Sequence, residues 1–179
     1  MTDTARSAGT GEAELAAEEE WLLTCVRMTA RRREGWAYGT LGELLLAHGR
    51  LFTPTPWPGG GAPPGEPGHC FIEAVSWAWA SEDALAYVEG VALDVRAHEQ
   101  PHAWCAGPDG KALDLTWSDP GRAYLGLPVR ADTARRIMSE TAGPLLYGAE
   151  GLVSPTAMQW MRDGLPDGLL VDVGRSVEG

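Results

Sequence analysis

Residues 53–69, TPTPWPGGGAPPGEPGH, constrain this chain more than any other stretch: 11 of these 17 residues are proline or glycine. A run of that composition continues neither a helix nor a central strand, because proline lacks the N–H and glycine loses most entropy on being ordered. It therefore separates a helical part of the sequence from a mixed part. Connections this long are uncommon in compact domains unless they serve as lids or binding loops. The segment is expected to arch over a site, with Trp57, its one large side chain, as either a surface anchor or a wall of a substrate groove.

Before the loop, residues 13–33 read as a helix. Acids come early (Glu14, Glu18, Glu19, Glu20) and bases late (Arg27, Arg31, Arg32, Arg33), the order that complements the helix dipole. Leu15, Leu22 and Val26 form its apolar stripe, with Cys25 as a small core residue. Residues 1–12 lack apolar periodicity and are expected to be a tail. Thr40-Leu41-Gly42-Glu43 has capping-box spacing, so a second helix should run to His48 and end on Gly49 as a left-handed cap. His48 is expected to pack or cap there.

After the loop, Cys70 opens a helix whose Phe71, Ala74, Val75 and Ala78 share one face, and strand-like runs follow at 84–93, 101–106 and 111–117. Helix and then antiparallel strands is an α+β order. The turn Gly107-Pro108-Asp109-Gly110 suits a three-residue hairpin loop, a type I turn closed by a left-handed glycine. Residue 107 then pairs with 111, 104 lies opposite 114 and 102 opposite 116, which makes His102 and Asp114 diagonal neighbours on one face. Further helices are expected over 132–140 and from Ser154-Pro155 to just before Gly164, with Ile137, Met158, Trp160 and Met161 packed on the core. Residues 13–168 are expected to form one domain, and 169–179 a second tail.

Composition narrows the partners. A chain of 179 residues, 44% apolar, suits one core, and its net charge of −11 repels phosphate backbones and excludes a nucleic-acid footprint. Without a run of about 18 apolar residues no membrane span is expected. The N-terminal MTDTARSAGTGEAELAAEEE is polar and acidic rather than basic-then-apolar, so the expected location is cytoplasmic. Three cysteines, an odd number, do not describe a disulfide framework.

Cys70, His102 and Asp114 supply a nucleophile, a base and a group to orient the base, the set needed for covalent acyl transfer. A thiol in the first turn of a helix sees the positive end of its dipole and unpaired N–H groups, which favour thiolate. An aspartate between Leu113 and Leu115 in a strand demands a partner. Zinc is the competing chemistry, through His69, Cys70, His102 and Cys105. His102 and Cys105, three apart on a strand, point to opposite faces, so no metal site and no cofactor is expected. Glu89, in an apolar strand, is expected either to pair with an arginine or to line the cleft and read a cationic or amide group. Trp104 and Trp117 are expected to shield the histidine and aspartate, or to form cleft walls.

A cysteine at a helix start, a Tyr-Val-Glu-Gly strand (87–90), a His-Ala-Trp strand (102–104) and a Leu-Asp-Leu-Thr-Trp strand end (113–117) together resemble the transglutaminase-like core of the papain-like cysteine enzyme superfamily. The likeness spans residues 68–126. More loosely, the layout of the whole chain resembles that of small proteins of actinobacteria and their phages. The resemblance implies N-terminal helices and a nucleophile-bearing helix packed on a small antiparallel sheet, with Cys70 as nucleophile, His102 as base and Asp114 as orienting acid. It implies a peptide, protein or small amide or ester substrate; the candidate substrate contacts read from the residues themselves are Trp57, Glu89 and Trp104. The alternative is a module with the same fold that binds a peptide without catalysis. No glutamine stands a few residues before Cys70, so the Cys70 N–H is expected as oxyanion donor, alone or with a donor from the preceding loop.

Overall fold

A computed structural model describes residues 4–58, 60–148 and 151–177. Helix α1 (Thr4–Thr29) begins well inside the stretch expected to be a tail, while residues 1–3 lie outside the described residues. Its second half buries Leu22, Leu23 and Val26. Helix α2 (Leu41–His48) starts as its capping signal requires: Glu43 N–H donates to Thr40 Oγ1 at 3.2 Å, and Gly39 N–H to Glu43 Oε2 at 2.7 Å. Its end corrects the expected left-handed cap. Gly49 has φ −63° and is extended; glycine is needed because an added Cβ would lie 2.4 Å from the Leu45 carbonyl oxygen.

Strand β1 (Arg50–Thr55) enters the proline-rich segment, where no strand was expected. It changes partner midway. Arg50 to Phe52 pair antiparallel with β5 (Ala123–Val129), and Thr53 to Thr55 pair parallel with β4 (Lys111–Leu113). Thr53 N–H donates to Gly110 O at 3.0 Å; since N–H groups alternate along a strand, Pro54 turns its missing donor to the side that β5 has already left.

The remaining order is β4, β3 (Glu99–Ala106), β2 (Ala86–Leu93), β5, β1, and the β1–β4 pairing closes these strands into a barrel, with β6 (Arg175–Ser176) added outside β1. The mixed α and β class thus holds, but the small antiparallel sheet expected from the sequence is corrected to a closed barrel with one parallel pairing.

Closure creates two cores. Phe52, Val88, Ala92, Trp104, Ala106, Ala112 and Tyr124 fill the barrel. A larger outer core joins the other strand faces to the helices. Gly90 and Gly126 pair at the barrel waist, and a Cβ on Gly126 would meet the Trp104 ring at 2.8 Å, so the missing side chain makes room for the indole.

Helix α3 (Cys70–Ala80) packs Ala74, Val75 and Ala78 into the outer core, and α4 (Ala131–Thr141) lies beside it. Helix α5 (Pro155–Asp163) is capped by Ser154, whose Oγ accepts from Ala157 N–H at 3.0 Å. Trp160 and Met161 are buried as expected, but Met158 is 41% exposed and does not pack. The expected C-terminal tail is also corrected: Leu169 is buried, Leu170 bridges Val129, and β6 pairs with β1; residues 178 and 179 lie outside the described residues. Among the described residues, no helix is long and apolar enough to cross a membrane.

Candidate active site

The turn after β3 sets the geometry. Gly110 adopts φ +70° and its N–H donates to Gly107 O at 3.0 Å, and the ladder pairs Ala106 with Ala112 and Cys105 with Leu113. This is the register derived from the turn residues. Strand β4 stops at Leu113 because the next side chain captures the backbone: Asp114 Oδ1 accepts from Thr116 N–H and Trp117 N–H, both at 3.0 Å, and from Thr116 Oγ1 at 3.4 Å.

The other carboxylate oxygen, Oδ2, accepts from His102 Nε2–H at 2.7 Å and from Tyr124 O–H at 2.9 Å; the Tyr124 oxygen in turn accepts from Gly121 N–H at 2.6 Å. Burial works against the charge of Asp114, but the bond from His102 and the two N–H donors outweigh it and hold the carboxyl below its ordinary range.

A carboxylate only accepts, so His102 Nε2 carries a proton and Nδ1 is the ring nitrogen that Asp114 does not engage. The ring is 2% exposed and stacks on Trp117 with centroids 3.9 Å apart and planes 16° from parallel. Burial alone would lower its pKa; hydrogen bonding to Asp114 and to the Cys70 side chain overcomes this and raises it to about 9.

Cys70, the first residue of α3, is 8% exposed. The end of the proline-rich loop brings it there. Gly65 N–H donates to Leu115 O at 2.8 Å, one residue past Asp114, and a Cβ on Gly65 would lie 2.4 Å from that oxygen. At the loop's other end Trp57 meets Trp77 edge-to-face at 5.6 Å. Trp77 lies two helical turns beyond Cys70 on the same side of α3. The loop therefore runs along the Cys70 side of the helix, tied at both ends, with Trp57 as the anchor.

Two expected substrate contacts are corrected. Trp104 is 0% exposed inside the barrel, against Phe52 and Tyr124, so it supports the site rather than forming a wall of it. Glu89 is also 0% exposed and meets neither an arginine nor a cleft: it accepts from Tyr87 O–H at 2.7 Å and from the N–H groups of Leu145, Leu146 and Tyr147 at 2.8, 2.7 and 3.1 Å. Desolvation raises its pKa to about 6 against these bonds.

Cys105 faces the outer core, with its thiol on Ala74 O at 3.2 Å and its pKa pushed up to about 12 by burial; His69 turns its ring to Glu66 at 3.1 Å. Among the described residues no three His, Cys, Asp or Glu side chains converge as metal ligands. Tyr124 and Thr116, both bonded to Asp114, were not singled out from the sequence. Their signal was parity: Tyr124 alternates with core-facing Leu125, but which face it shares depends on barrel closure.

No family model, curated protein or solved structure matches this chain. A sulfur at a helix N-terminus, an imidazole with one nitrogen free and a buried carboxylate are the groups that thiol acyl transfer uses.

Proposed function

We propose that this protein is a cysteine-dependent acyl-transfer enzyme of the transglutaminase-like or papain-like kind, acting on an amide or ester carbonyl. The observation that carries it is the buried 2.7 Å bond from His102 Nε2 to Asp114, which leaves the other ring nitrogen for Cys70. His102 takes the Cys70 proton, the sulfur attacks the carbonyl carbon, and the imidazolium returns the proton to the leaving amine or alkoxide. Water or an amine then releases the acyl group, with His102 again as base. The Cys70 N–H, at the start of α3, is the oxyanion donor. Asp114 fixes the tautomer throughout, and Trp117 covers the imidazole face.

Alkylation by iodoacetamide, mapped by peptide mass across pH, tests this without a substrate. Cys70 should react well below pH 8 and faster than Cys25 or Cys105, and His102→Ala should remove that advantage. Equal rates at Cys70 and Cys25 in the wild type would refute the proposal. The low exposure of Cys70 favours one second reading, a non-catalytic module that holds a peptide beneath the 53–69 loop, and equal rates are what that module would give.

A further inference from the structure

A cavity of about 500 Å³ between α3 and α4 lies within the size range of small-molecule sites and takes no part in the acyl-transfer chemistry. It opens on the side of α3 that carries Ile72 and Ser76, away from the Cys70 thiol. Phe71, Ile72, Val75 and Met138 give it apolar walls. Ala142 to Pro144 form one end and lead straight into Leu145 to Tyr147, whose N–H groups are bonded to buried Glu89, so that end is anchored in the core.

Charge is spread unevenly around this cavity. The chain has 25 acidic residues against 14 arginines and lysines, yet no aspartate or glutamate lines it, and Arg135 is the one arginine or lysine that does. The arginines on either side of it along α4 are taken: Arg130 by Asp83 and Asp132, and Arg136 by Glu140. Arg135 has no carboxylate partner among the described residues. Its guanidinium lies 3.8 Å over the ring of Trp79, which is 50% exposed. Stacking of that kind occupies one face of the guanidinium and leaves its N–H edge free, and that edge matches the two oxygens of a carboxylate.

The surroundings limit how many negative charges an occupant can bring. Carboxylates return just outside the walls, with Glu66 beside His69 at one end and Glu140 next to Ser139 on α4. A partner with several acidic groups sets them against these; a ligand with a single carboxylate meets Arg135 alone.

We propose that this cavity binds a small monocarboxylate, with its apolar body between α3 and α4 and its carboxylate on the N–H edge of Arg135. The site is independent of the acyl-transfer reading, so Cys70→Ala should bind such a ligand as the wild type does.

Calorimetric titration of the full chain at pH 7 and low salt, with 2-naphthoate and its neutral counterpart 2-naphthamide, tests this. Naphthoate should bind at least fivefold more tightly than naphthamide. Arg135→Gln should bring the two within twofold of each other by weakening naphthoate alone, and Arg135→Lys should recover only part of the difference, because an ammonium lacks the two-pronged grip. Ser139→Trp, which fills the cavity from α4, should weaken both ligands tenfold or more. Residues 135 and 139 are both exposed, and circular dichroism checks that each variant keeps the fold.

Equal binding of acid and amide by the wild type, a preference for the acid that survives Arg135→Gln, or no binding of either ligand would overturn the proposal. Displacement of naphthoate by an equal concentration of hexaglutamate would also overturn it, since the occupant would then be an acidic peptide.

Discussion

Asp114 accepts five hydrogen bonds, from His102, Tyr124, Thr116 twice and Trp117, and the order of the site follows from that carboxylate. Asp114→Asn should keep the packing but present the wrong tautomer of His102, with a loss of about 10²- to 10⁴-fold in acyl transfer measured with an activated ester. Tyr124→Phe should cost about 2–3 kcal/mol in urea unfolding, because it removes two bonds within a buried network, the one donated to Asp114 and the one accepted from Gly121 N–H.

His102 gives a pH dependence with a definite sign. Its folded pKa, raised to about 9 from 6.5, stabilises the fold fully below pH 6.5, and this contribution is lost as pH rises through about 9. Urea unfolding should show a fall on the order of 3 kcal/mol across that window in the wild type, and no such fall in His102→Gln. Asp114 was legible as a residue needing a partner, because it stood between leucines in a strand. Tyr124 was not, because its partner lies across a barrel that strand patterns do not reveal.

At the scale of elements, the helix starts and hairpin register were readable from chemistry confined to a few residues: Thr40 with Glu43, Ser154 with Pro155, and Gly107 to Gly110. Strand β1 was not readable, since a proline normally argues against a strand and Pro54 is admitted only because its neighbours change on one side at that point. Glu89 shows the same limit. Its burial was visible in an apolar strand, but its partners are backbone N–H groups far along the chain. Glu89→Ala should leave those donors and the Tyr87 hydroxyl unpaired in the core and cost about 3 kcal/mol or more, measured by urea unfolding; Glu89→Gln, which keeps one acceptor oxygen, should cost less.

Across the whole molecule, barrel closure links the two parts of the chain on either side of the proline-rich loop. Strand β1 precedes the loop and pairs with β4, while the loop's far end bonds to Leu115 and delivers Cys70 to β3 and β4. The loop is tied at Leu115 and at Trp77, but closure was hidden because it depends on the parallel pairing of distant residues. The central claim is that sulfur, imidazole and carboxylate meet as one coupled unit, and an NMR titration of the His102 imidazole tests it most directly. The ring should titrate near 9 in the wild type and fall by a unit or more in Asp114→Asn and, to a lesser extent, in Cys70→Ser. A midpoint near 6.5 that neither substitution moves would contradict the account.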